Sequence, residues 1–177
     1  MIRQILDVKQ NTLREKSKPV VAVDKKIKEL IRDMIHTLEV QKDPEGVGLA
    51  ASQVGKNLRL FVMKPKDKAI VIMNPEIVTV SKEKNMPKND SGKKIMEGCL
   101  SLPHYYGPLK RANEITIKFL GEDGNIKTQI FKGLAAQIVQ HEIDHLNGVL
   151  FIDRLLEAKT PLYEYLDGEW EKVDLIM

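Results

Sequence analysis

Apolar residues recur at helical spacing in two stretches of the chain and at strand spacing between them. Ile27, Leu30, Ile31, Met34, Ile35 and Leu38 fall three and four apart. With Asp24 as the N-cap and Pro44 beyond its end, the spacing predicts a helix over about 25–41. Its other side carries Lys25, Lys26, Lys28, Glu29, Arg32 and Asp33, and His36 lies opposite Ile27 as a solvated side chain. The first 23 residues read as an irregular lead-in. After the glycine-rich stretch Gly46-Val47-Gly48-Leu49-Ala50-Ala51-Ser52-Gln53, β-branched and apolar runs predict short strands at 58–63, 69–73 and 76–80, with Asn74-Pro75 as punctuation. The run 113–120 alternates as a half-buried strand, and Gly121-Glu122-Asp123-Gly124 turns it into a partner near 126–131. A second helix is expected over 134–146, closed by Asn147-Gly148. The order of helix, strands and helix implies an α+β fold. Small mixed or antiparallel sheets should pack around a central C-terminal helix, with an N-terminal helix beside them.

Composition narrows the class without giving the chemistry. The 177 residues are 42% apolar and 30% charged, suited to one domain spanning 1–177. The five lysines of 81–94, Lys82, Lys84, Lys88, Lys93 and Lys94, mark a long exposed loop, and 157–177 reads as an acidic C-terminal tail with six acidic and two basic residues. A net charge of +3 is too balanced to indicate DNA binding, and no run approaches the length of a spanning helix, so no membrane is expected. Met1 to Asp7 lacks a secretory core, no Arg/Ser-rich leader is present, and a lone cysteine forms no internal disulfide. A bacterial-type cytoplasm is therefore expected.

His141-Glu142-Ile143-Asp144-His145 lies inside the second expected helix. Positions i and i+4 share a helix face, so the two imidazoles can hold one metal ion while Glu142 serves as general base and later acid. Helix-surface pairing of solvated histidines is the plainer alternative. The third ligand is open on the residues alone. A third His six residues on is excluded by Phe151. Glu164, Glu169 and Glu171 are candidates downstream, and Cys99 is one upstream. A lone Cys is commonly a small buried hydrophobe, but the flanking Gly98 favours a close backbone approach and so a ligand. His104 is a candidate fourth ligand; a closed sphere of Cys99, His104, His141 and His145 would be a structural metal module. A metallopeptidase with a downstream Glu is the other rival.

Three segments taken together, Gly46 to Gln53, Glu97-Gly98-Cys99-Leu100-Ser101 and His141 to His145, closely resemble the peptide deformylases over roughly residues 1–155. The resemblance implies that Cys99, His141 and His145 bind a divalent ion, Fe2+ in the cell with Zn2+, Ni2+ or Co2+ accepted on purification. It also implies that Glu142 handles protons while the Gln53 amide and the Leu100 N–H stabilise the oxyanion. Val47, Gly48, Ile95, Gly98, Leu134 and Ile138, with His141, are implied as the site for an extended formyl-methionyl peptide. Arg111 is expected to brace Glu97. The implied partner is the nascent formyl-methionyl peptide, with a transient ribosome contact. The acidic tail departs from the basic C-terminal helix of many bacterial members, which leaves the loop lysines as an alternative contact, although a solvated loop is the simpler account.

Overall fold

The computed structural model describes residues 1–174; residues 175–177 of the expected tail lie outside the described residues. Helix α1 is Lys25–Glu39, and Asp24 caps it by accepting the Ile27 N–H at 3.0 Å. Strands β1 Gly48–Ala50, β2 Leu60–Met63, β3 Ile70–Val80, β8 Glu114–Leu120 and β9 Ile126–Lys132 form an antiparallel sheet in the order β1-β2-β3-β8-β9. Helix α2 is Leu134–Leu146, with Asn147 as its C-cap.

Sheet and helices pack as a sandwich, and β2 shows why. Its four residues Leu60, Phe61, Val62 and Met63 are all buried. Alternation sends Leu60 and Val62 to one face, against Leu30, Ile31, Met34 and Leu38 of α1. Phe61 and Met63 go to the other, against Ile138, Val139, Ile143 and Leu146 of α2. A strand covered on both sides must be apolar throughout. The central strands thus fix α2 from behind and leave its opposite flank to the site.

A second sheet closes that flank. It runs in the order β11-β10-β6-β5, with β5 Glu97–Cys99, β6 Leu102–Gly107, β10 Leu162–Leu166 and β11 Glu169–Val173. Helix α3, Phe151–Ala158, covers it through Phe151 and Leu155, which join Cys99, Leu109 and Leu162 in a separate buried cluster.

The expected α+β architecture is found, with four local differences. The expected strands 69–73 and 76–80 are one strand, β3. Its pairing with β8 shifts register between Met73 and Glu76, so Pro75 falls at an irregularity where a missing N–H breaks no ladder bond. The expected loop 81–94 contains β4 Lys84–Asn85, paired with β7 Arg111–Ala112, and a bridge between Lys88 and Lys94. Helix α3 was not expected at all. The acidic tail is not a tail over its described length, because 162–173 forms a hairpin: Leu162 is buried opposite the half-buried Val173, and Glu169, Glu171 and Lys172 farther along it are exposed.

Candidate metal centre

The buried face of α2 carries His141, Glu142 and His145, and β5 brings Cys99 to meet them. Ligand atoms of Cys99, His141 and His145 all lie within 4.8 Å of one another, and all three residues are buried. Cys99 Sγ is 3.3 Å from His145 Nε2, and the two imidazole rings stand edge to face at 4.9 Å. The spacing of four along α2 makes the histidine pair local, whereas the thiol arrives from 42 residues upstream (141 − 99).

Charged groups behind the histidines set their orientation. Arg111 Nε donates to Glu97 Oε1 at 2.9 Å and Nη2 to Oε2 at 2.7 Å, while Nη1 reaches Asp144 Oδ2 at 2.7 Å. Arg154 adds two bonds to Asp144, at 2.8 and 3.1 Å. Burial disfavours the Glu97 charge, yet the Arg111 hydrogen bonds and charge, with His141, hold its pKa down to about 2. An ionised Glu97 only accepts, so the 2.8 Å contact with His141 requires the proton on Nδ1 and turns Nε2 toward the cluster.

Glu142 is the titratable carboxyl group beside the cluster. Only 2% exposed, it has an Oε1 without a hydrogen-bond partner among the described residues. Burial pushes its carboxyl up to about 7; the Glu97 and Asp144 charges add to the rise, and His141 and Arg111 oppose it. A group near neutrality can both take and return a proton. Gly48 makes room for it, since a Cβ there would stand 2.5 Å from Glu142 Oε2.

The cluster opens into a cavity of about 330 Å³ between β1, β5 and α2. Val47, Gly48, Ile95, Gly98, Leu100, Leu134, Ile138, His141 and Glu142 line it, alongside Cys99. Gln53 lies beneath the lining, 1% exposed. Its Oε1 accepts the Ala50 N–H at 2.9 Å, and its Nε2 donates to Ser101 Oγ at 3.0 Å with Cys99 Sγ at 3.5 Å. His104 lines the rim, its Nδ1 3.9 Å from Asp43, and does not join the cluster. Glu164, Glu169 and Glu171 sit on the hairpin, away from it. Sequence reasoning missed Gln137, Tyr105 and Tyr106 in the lining and Arg154 behind Asp144. Gln137 was within reach: it lies three after Leu134 and four before His141, on the same helix face. The tyrosines carried no such signal.

A divalent ion fits these residues. A thiolate and two imidazoles form a soft, mixed donor set suited to ferrous iron or zinc, and three protein donors leave a fourth position for chemistry. Glu142 Oε1, buried and without a partner among the described residues, belongs to a side chain that lines the same cavity as Cys99 and His141.

Comparison with known proteins agrees over nearly the whole chain. The family model described as polypeptide deformylase matches residues 2–160. A peptide deformylase of Dictyoglomus thermophilum is 46% identical over 157 residues, 89% of this chain and 95% of its own. One from Dehalococcoides mccartyi is 41% identical over 165 residues, 92% and 91% of the two chains. The crystal structure of peptide deformylase from Thermotoga maritima superposes with a TM-score of 0.78 at 36% identity, covering 87% of this chain and 97% of that one. That of the Synechococcus elongatus enzyme in complex with actinonin gives 0.76 at 33%, covering 85% and 76%.

Proposed function

This chain belongs to the polypeptide deformylase family, and from that premise we propose that it removes the formyl group from formyl-methionyl nascent peptides with one divalent ion held by Cys99, His141 and His145. Convergence of those three buried side chains beside Glu142, at the floor of a peptide-sized cleft, is the observation that supports this reading. When bound, the ion, Fe2+ in the cell or Zn2+, Ni2+ or Co2+ in its place, would supply Lewis-acid polarisation of the formyl carbonyl and would acidify the attacking water.

The chain's own residues supply the rest. Val47, Ile95, Leu134, Ile138 and His141 receive the methionine side chain, and the backbones of Val47, Gly48 and Gly98 pair with the peptide as an added strand. Lacking a Cβ, Gly48 brings the peptide close to Glu142. Glu142 takes a proton from the attacking water, then gives it to the departing amine nitrogen. Charge growing on the formyl oxygen is met by the Leu100 N–H and by Gln53 Nε2, whose bond toward Cys99 Sγ is the longer of its two. Each donor contributes about 3–4 kcal/mol to the barrier reduction. A formyl carbon bears only hydrogen, so backbone at Gly48 and Leu100 excludes an acetyl group. One domain houses these steps, in a bacterial-type cytoplasm with transient ribosome contact. No helix among the described residues is long and apolar enough to cross a membrane.

The test is amine release by iron-loaded protein under anaerobic conditions. Formyl-Met-Ala-Ser is expected to be hydrolysed and acetyl-Met-Ala-Ser to be left intact. Equal inertness toward both contradicts the reading.

A further inference from the structure

The β11-β10-β6-β5 sheet ends on β5 at the cleft, and its two faces differ. On the face toward α2, Glu97 meets Arg111 and His141. On the other, Gly98 has no side chain, and the Tyr106 ring lies so close that a Cβ at Gly98 would stand 2.7 Å from its Cδ1 and Cε1. Tyr106 lines the cleft and also leads away from it. Its ring meets Trp170 edge-on at 5.6 Å, and Trp170 meets Tyr165 at 4.6 Å. Trp170, the chain's single tryptophan, is 51% exposed. It stands on β11, beyond residue 160 where the family match ends.

We propose that Tyr106, backed by Trp170, is the subsite for the side chain of the second residue of the formyl peptide, and that it selects aromatic side chains over small ones. The inference rests on the deformylase reading, which lays an extended peptide along β5. Successive side chains of an extended strand point to opposite faces. With the methionine directed to Leu134 and Ile138 on α2, the next side chain emerges on the face of Gly98. No Cβ stands there, so the Tyr106 ring is the first surface it meets. Because Tyr106 belongs to both the cleft and the aromatic stack, the stack continues the peptide site. Trp170 is a positioning residue: it acts by fixing the Tyr106 ring.

Iron-loaded protein is assayed with formyl-Met-Phe-Ser and formyl-Met-Ala-Ser. The expected preference in kcat/KM for the phenylalanine peptide is about five- to tenfold, carried by KM. Trp170→Ala and Trp170→Leu bring the ratio toward one, and Trp170→Phe keeps it; the leucine variant retains apolar volume should alanine loosen the hairpin. The lone tryptophan also gives a readout independent of turnover. Titrating wild-type protein with the product Met-Phe-Ser is expected to shift Trp170 fluorescence saturably, and Met-Ala-Ser to shift it less. A ratio near one in wild type, a ratio unchanged in both the alanine and leucine variants, or a flat titration overturns the subsite. Protein that hydrolyses formyl-Met-Ala-Ser without preference fails the subsite alone, whereas protein inert to both peptides fails the deformylase reading with it.

Discussion

Arg111 grips both carboxylate oxygens of Glu97, at 2.9 and 2.7 Å, in a place where neither side chain is more than a tenth exposed. The pair links two elements, since Glu97 turns from β5 to His141 while the third guanidinium nitrogen holds Asp144 on α2. Removing the cation leaves two buried carboxylates, Glu97 and Asp144, with too little compensation. Arg111→Met is therefore expected to destabilise the fold by about 3–5 kcal/mol and to lower Tm by about 10 °C, read by calorimetry.

Glu97→Gln tests the same link from the metal's side. The substitution keeps the shape but loses the charge that fixes the His141 proton on Nδ1. Metal affinity is expected to fall about 10- to 100-fold in competition with a chromogenic chelator. Affinity equal to wild type would remove Glu97 from the account.

Gly48→Ala places a methyl group 2.5 Å from Glu142 Oε2 and 3.0 Å from Ile138 Cγ2. The carboxylate yields first, because it is the free end of a side chain. Deformylation is expected to drop by about a hundredfold while bound metal stays at one per chain, checked by formate release beside metal analysis.

Gln53→Leu removes a donor beneath the cleft. The expected signature is a fall in kcat of about 10²–10³ with little change in KM, as for an interaction made chiefly in the transition state. A loss confined to KM would assign Gln53 to substrate binding instead.

Phe151→Ala probes the element that the sequence pattern hid. Phe151 is 2% exposed, and its ring lies 6.1 Å from that of His141. Truncation is expected to cost about 3–5 kcal/mol and to show as a lowered denaturant midpoint.

These residues also show what the chain reveals before folding. The i, i+4 histidines and the stripe from Ile27 to Leu38 are local, so spacing alone placed them on helices that the structure contains. Cys99 lies on no periodic pattern: the flanking Gly98 favoured it as a ligand, the motif resemblance set it apart from Glu164, Glu169 and Glu171, and its approach to His145 depends on the pairing of β5 with β6 and the packing of α3 over both. Helix α3 is eight residues long, too short for its two apolar pairs, Phe151-Ile152 and Leu155-Leu156, to stand out as a period. In the hairpin, Leu162 and Val173 meet at one end only and share their face with Glu164, Glu169 and Glu171, so no alternation of apolar and polar residues marks either strand. Pro75 read as a break because sequence cannot show the register shift that accommodates it.

X-ray absorption at the metal edge of the reconstituted protein tests the ligand set most directly. The account predicts one sulfur at about 2.3 Å, two imidazole nitrogens at about 2.0–2.1 Å for zinc, and one light-atom ligand that exchanges with solvent. A first shell without sulfur, or one closed by four protein donors, would contradict it.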